Sequence, residues 1–103
     1  MQSFKDDINP YLIFRFDCRQ INDLVTFRVN QNKKEHWIVA ACNDGYLKVF
    51  SPQQVCVIKV IKGMSGNPIC MDVSGLGHKS SLPEQRDMLA VGYEDDSFVV
   101  YSI

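Results

Sequence analysis

The 103-residue sequence has no long apolar run and no excess of charge of either sign. No apolar stretch approaches the roughly 20 residues that a membrane-spanning helix requires. The first ten residues, MQSFKDDINP, are polar and acidic, unlike a secretory signal. The 11 basic and 12 acidic residues are scattered, which gives no basis for a surface that binds nucleic acid or anionic lipid. We therefore predict a protein of the cytoplasm, the nucleus or both, with no nucleic-acid or membrane partner.

Cysteine occurs four times but never as a CxxC pair. The gaps of 24, 14 and 14 residues between successive cysteines do not suit a zinc site. Because the sequence shows no secretory signal, we predict that all four are reduced thiols with structural roles. A buried cysteine behaves as a small apolar residue. The four positions are Cys18, Cys42, Cys56 and Cys70.

Residues typical of an active site are also scarce. The two histidines, His36 and His78, lie in polar segments, and catalysis would require converging partners that sequence adjacency does not supply. The acidic triplet at 94–96 could hold a cation, although a hairpin tip with solvated charges explains it better. The GMSG segment at 63–66 matches no phosphate-binding motif and is interpreted as a loop between repeats. We predict a non-catalytic protein with no cofactor and no bound metal.

The sequence does contain many short runs of β-branched and aromatic residues separated by turn residues, a pattern typical of strands. No stretch longer than about eight residues has the periodicity of an amphipathic helix. The polar segments between the runs are predicted as surface loops. The chain is therefore predicted to be all-β. The predicted strands cover residues 11–16, 21–27, 37–42, 46–50, 55–61, 68–73, 88–92 and 98–102.

Two parts of the chain resemble each other. The segment WIVAACNDGYLKVF aligns with MLAVGYEDDSFVVY, and this places Asp44 opposite Asp95, 51 positions later. Upstream, INDLV aligns with ICMDV, which places Ile21 opposite Ile69, 48 positions later. A period near fifty with four strands per unit is typical of a β-propeller blade with an enlarged loop.

Each repeat has an acidic turn between two apolar runs. In the first, Asp44 and Gly45 form a strong hairpin signal because glycine adopts positive φ without strain. In the second, Asp95 and Asp96 take these places. Aspartate also adopts the left-handed conformation, at a greater cost than glycine. We predict that these four residues have structural roles in the turns.

The segments AACNDGYLKVF and AVGYEDDSFVVYSI resemble the second and third strands of WD repeats. In that family an aspartate lies in the turn, here Asp44 and Asp95, and an aromatic closes the third strand, here Phe50 and Tyr101. The Gly-His pair that usually precedes the first strand is missing from that place in both repeats. Over roughly residues 9–103 the chain is similar to the CreC-like group, which includes WD repeat-containing protein 20.

This resemblance implies a partial WD-repeat β-propeller of about two four-stranded antiparallel blades. Residues 1–10 are expected to be a lead-in. Residues 11–62 are expected to hold the end strand of a preceding blade and one full blade, and residues 63–103 a second blade that lacks its last strand. Because such a unit leaves strand edges and one sheet face uncovered, we expect it to be marginally stable or oligomeric on its own.

The resemblance also implies a function. CreC-like proteins are non-catalytic and bind and activate ubiquitin-specific proteases, often together with a second WD-repeat protein. We therefore expect a protein-interaction scaffold in a deubiquitinase complex, with Trp37 and His78 as candidates for partner contacts. One alternative is a propeller with another partner, such as a coat, chromatin or ubiquitin-ligase subunit. The other is a small all-β enzyme or ligand-binding barrel, which would form a closed monomer with a pocket.

Overall fold

The computed structural model describes residues 9–30, 35–74 and 88–102. These residues form seven β-strands and their connections, and no helix occurs among them that could cross a membrane. The all-β prediction is confirmed. The strands are β1 (Ile21–Asn30), β2 (Glu35–Cys42), β3 (Tyr46–Ser51), β4 (Cys56–Lys62), β5 (Pro68–Val73), β6 (Met88–Tyr93) and β7 (Phe98–Ser102).

The strands form two antiparallel sheets in which every strand pairs with its neighbour in the chain. The first sheet has the order β1-β2-β3-β4 and the second has the order β5-β6-β7. Short hairpin turns join β2 to β3 and β6 to β7, which fixes the registers of those pairs. Both sheets are open, because the first and last strands of each do not pair with one another.

The strand predicted at residues 11–16 is not formed. This segment belongs to neither sheet, so the expected end strand of a preceding blade is a wrong prediction. A strand requires a partner for its backbone hydrogen bonds, whereas this segment packs through its side chains. The rings of Phe14 and Phe16 lie against the ring of Phe50, with centroid separations of 4.3 and 6.1 Å.

The two sheets enclose one hydrophobic core. They approach each other most closely at β1 and β5, the first strand of each sheet. Side chains that alternate along the strands enter the core, as expected for sheets with one face buried. The buried cluster consists of Val39, Ala41, Leu47 and Val49 from the first sheet and Met71, Leu89, Val91 and Tyr93 from the second.

The first strand of each sheet has a β-bulge within its first three residues. Strand β1 enters its sheet with Ile21 opposite Cys42, and β5 enters with Pro68 opposite Tyr93. Because Cys42 and Tyr93 are equivalent at an offset of 51, Ile21 is equivalent to Pro68, an offset of 47. The sequence alignment of these strands at an offset of 48 is therefore wrong by one position.

Candidate protein-docking surface

The predicted turn aspartates make the same hydrogen bond in both repeats. The Oδ1 atom of Asp44 accepts a hydrogen bond from the amide of Tyr46 at 3.2 Å. The Oδ1 atom of Asp95 accepts one from the amide of Ser97 at 3.1 Å. The Ser97 hydroxyl also donates to Asp95, and these bonds hold the pKa of the Asp95 carboxyl below its usual value. Both aspartates therefore stabilise hairpin tips.

The next residue of each turn has the left-handed backbone predicted from the sequence. Gly45 has φ of 91° and Asp96 has φ of 70°. The Gly45 amide donates to the carbonyl of Cys42 at 3.2 Å, and the Asp96 amide donates to that of Tyr93 at 3.1 Å. The two tips thus share one conformation at an offset of 51 residues.

A backbone hydrogen bond at the start of each sheet also repeats. The amide of Asn43 donates to the carbonyl of Gln20 at 2.8 Å, and the amide of Glu94 donates to the carbonyl of Asn67 at 3.1 Å. The donors are 51 residues apart and the acceptors 47, which agrees with the strand registers. The internal repeat is therefore present in the backbone as well as in the sequence.

Two polar side chains of β1 link the sheets directly. The Oδ2 atom of Asp23 accepts a hydrogen bond from the amide of Met71 at 2.7 Å. The side-chain amide of Asn22 donates to the carbonyl of Pro68 at 2.9 Å. A hydrogen bond to a charged group is worth about 1.5–3 kcal/mol. These bonds fix β5 against β1 where the sheets are closest.

The two sheets meet through opposite faces. In β2, Val39 and Ala41 face the second sheet, but their equivalents in β6, Ala90 and Gly92, lie on the side away from the first sheet. The packing is therefore head-to-tail, which a third sheet could extend in the same way. Packing through the same face would instead give a closed pair. The residues of β6 that enter the core are Leu89, Val91 and Tyr93.

The side of the second sheet that faces away from the core is called its outer face. Its middle strand supplies the small residues Ala90 and Gly92, and Gly92 pairs with Phe98 in the adjacent strand. Phe98 is 73% exposed and Val100 is 52% exposed. An apolar face rimmed by polar groups is typical of a protein-binding surface. The outer face consists of Cys70, Asp72, Met88, Ala90, Gly92, Phe98 and Val100.

The side of the first sheet that faces away from the core is called its far face. It contains Ala40, Cys42 and Phe50, all of which are buried. Residues 9–20 lie across this face and are called the cap. Besides its aromatic contacts with Phe50, the cap supplies the Asp17 carbonyl, which accepts a hydrogen bond from the Lys48 ammonium. One sheet face is therefore covered and the other is open.

Two further contacts involve this face, one with the hairpin and one with the cap. Lys48 forms an ion pair with Asp44, at 2.9 Å between Nζ and Oδ2, and this bond raises the pKa of the lysine. Burial raises the pKa of the Cys42 thiol to about 12, and its hydrogen bond with Cys18 of the cap adds to the increase. Cys42 is therefore a protonated core residue at neutral pH.

Trp37, a predicted candidate for partner contacts, is partly buried and packs against the core between the sheets. His78, the other candidate, lies outside the described residues. Sequence reasoning missed the outer face. No local signal in the sequence identifies it, because Val49 and Val100 are equivalent by alignment and differ in the sheet that packs against them.

Within residues 9–30, 35–74 and 88–102, no three His, Cys, Asp or Glu side chains converge to form a metal site. Comparisons of the chain with protein-family models, with curated proteins and with solved structures found no match. Its function is therefore inferred from its own residues and their contacts.

Proposed function

We propose that this chain is a non-catalytic protein-interaction module built from WD-type repeats. The observation that carries the proposal is the head-to-tail packing of two sheets that repeat at offsets of 47 and 51 residues. Each blade of a β-propeller packs in this manner, with one face on the next blade and the other on the preceding blade. The close approach of β1 and β5 agrees with blades whose first strands line a central axis.

The hairpins favour a WD-type repeat over an unrelated stack of sheets. The residues on which the resemblance depends, Asp44 and Asp95, make matching hydrogen bonds at the tips. Phe50 and Tyr101, at the place of the family's closing aromatic, lie one residue before the end of the third strand of each sheet and pack against neighbouring elements. A small closed barrel is less well supported, because both sheets are open at their edges.

The particular function that we propose is regulation of a ubiquitin-specific protease, together with a second WD-repeat protein, in the cytoplasm or nucleus. This follows from the similarity to the CreC-like group. The exposed apolar residues of the outer face, above all Phe98 and Val100, offer a surface for such a partner. The same surface could serve a coat, chromatin or ubiquitin-ligase subunit.

Affinity capture with the full chain as bait in cell lysate tests this function. The captured proteins are then labelled with a ubiquitin probe that reacts with the active-site cysteine of deubiquitinases. We expect a probe-reactive ubiquitin-specific protease and a WD-repeat protein to be captured. Val100→Asp on the outer face should reduce their recovery, whereas Val60→Asp, the same change at an exposed position of β4, serves as the control. Capture of coat, chromatin or ligase subunits without probe-reactive protein would retain the module and refute the deubiquitinase role.

A further inference from the structure

The far face of the first sheet and the core-facing side of the second sheet are equivalent surfaces. At the offset of 51, Ala40 corresponds to Val91 and Cys42 corresponds to Tyr93. Val91 and Tyr93 pack against the first sheet. The far face is thus, by position in the repeat, a surface of the kind that packs on another sheet.

The outer face has the complementary relationship. Val49 and Leu47, which the second sheet buries, correspond to Val100 and Phe98 on the outer face. The contact between the two sheets therefore shows which kind of sheet can pack on the outer face. Its partner is a sheet that presents the equivalent of the far face, and a second copy of this chain carries one.

In each copy, however, the cap already occupies the far face. Its side chains alternate, with Tyr11 92% exposed and Ile13 81% exposed, whereas Leu12 and Phe14 are 38% and 37% exposed. The cap belongs to neither sheet and is held by ring packing, by the Lys48–Asp17 hydrogen bond and by the Cys18–Cys42 contact. The cap is therefore attached by contacts of side chains and not by strand pairing.

We propose that the cap prevents copies of this chain from stacking, and that its displacement lets the far face of one copy dock on the outer face of another. The interface repeats the contact between the two sheets within one chain. It is head-to-tail, so each added copy presents a new outer face. This inference is independent of the proposed function, because it requires no partner other than the chain itself.

The test compares self-association of the full chain with that of the double variant Phe14→Ala/Phe16→Ala, which weakens ring packing on Phe50. Sedimentation velocity and light scattering measure mass across a range of micromolar concentrations. We expect the double variant to associate at least about tenfold more tightly than the natural chain. Ile13→Ala, a change at an exposed position of the same cap, should leave association unchanged.

Adding Val100→Asp to the double variant distinguishes stacking from aggregation of unfolded chains. If the outer face is the docking surface, the triple variant returns to a monomer with the same circular dichroism. Alkylation of Cys70, which lies on the outer face, should slow at least about tenfold in the assembled sample, while exposed Cys56 on β4 stays reactive. The proposal is overturned if the triple variant assembles as tightly as the double variant. It is also overturned if the double variant associates no more tightly than the natural chain.

Discussion

Val49 and Val100 occupy the same place in the two repeats, yet their environments are opposite. Val49 is 5% exposed because the second sheet covers it, and Val100 is 52% exposed on the outer face. Both lie in the third strand of their sheet, directly after the hairpin turn, and they are 51 residues apart. The second sheet packs on Val49 and no sheet of the described residues packs on Val100, and β4 also shields Val49 at the side, whereas β7 is the last strand of its sheet.

Replacing Asp96 by glycine should stabilise the protein. Asp96 has φ of 70°, where a side chain adds strain that glycine does not have, as Gly45 shows at the equivalent turn. We expect Asp96→Gly to raise the free energy of unfolding by about 0.5–1 kcal/mol and Gly45→Ala to lower it by about 1 kcal/mol or more. Urea unfolding measures both changes, and a destabilised Asp96→Gly variant would contradict this account of the turn.

Replacing Asp23 by alanine should destabilise the contact between the sheets. Asp23 accepts hydrogen bonds from the amides of Leu24 and Met71, and only the second joins the sheets. Asp72 is the matched control, because it accepts the same local bond from Val73 at 2.9 Å but none from another sheet in the described residues. We expect Asp23→Ala to lower the free energy of unfolding by about 1.5–3 kcal/mol more than Asp72→Ala. Equal losses would show that the inter-sheet bond contributes nothing.

The protein should lose stability in alkaline solution. Burial and the hydrogen bond with Tyr93 raise the pKa of Tyr101 from 10.0 to about 12, and burial raises that of Cys42 from 9.0 to about 12. The unfolded chain therefore loses these protons first. The stability that both groups contribute is complete below pH 9 and is lost as the pH rises from 9 to 12.

Urea unfolding between pH 8 and about pH 12 measures this loss. Tyr101→Phe is the control, because phenylalanine does not ionise, and it should reduce the fall in unfolding free energy above pH 10. The variant will be less stable at neutral pH, since it lacks the 2.8 Å hydrogen bond to Tyr93. A natural chain and a variant with parallel pH profiles would refute the assignment to Tyr101.

The four thiols should react at very different rates in the native protein. Cys56 and Cys70 are exposed, whereas Cys42 is buried and has a pKa of about 12. Alkylation requires the thiolate, so we expect iodoacetamide at pH 8 to modify Cys42 at least about 100-fold more slowly than Cys56. Mass spectrometry of peptides gives each rate. All sites should react alike in urea, and fast native labelling of Cys42 would contradict its burial.

The strands and hairpin tips could be predicted from the sequence because their signals are local. The NDG turn predicts positive φ at Gly45, and alignment with the second repeat extends this to Asp96. The apolar runs predict β5 and β7 with their observed bounds, since turn residues precede both. These features depend on residues adjacent in the chain.

The cap and the face reversal depend on contacts that are distant in sequence. The apolar run that contains Phe14 is typical of a strand, but a strand forms only beside a partner, and here the ring packs on Phe50 instead. The pairings of Ile21 with Cys42 and of Pro68 with Tyr93 align β1 with β5 at an offset of 47, and an error of one position exchanges the two faces of a strand. An alignment without the pairing of Ile21 with Cys42 cannot reveal this.

The central claim is that one sheet covers Val49 and that the equivalent face at Val100 is open. The most direct measurement is the free energy of unfolding of Val49→Thr and of Val100→Thr, determined by urea denaturation of dilute monomer. Burying a hydroxyl without a partner costs about 1–3 kcal/mol, so Val49→Thr should lose that much, and Val100→Thr should stay within about 0.5 kcal/mol of the natural chain. Equal losses at both positions would contradict the head-to-tail packing.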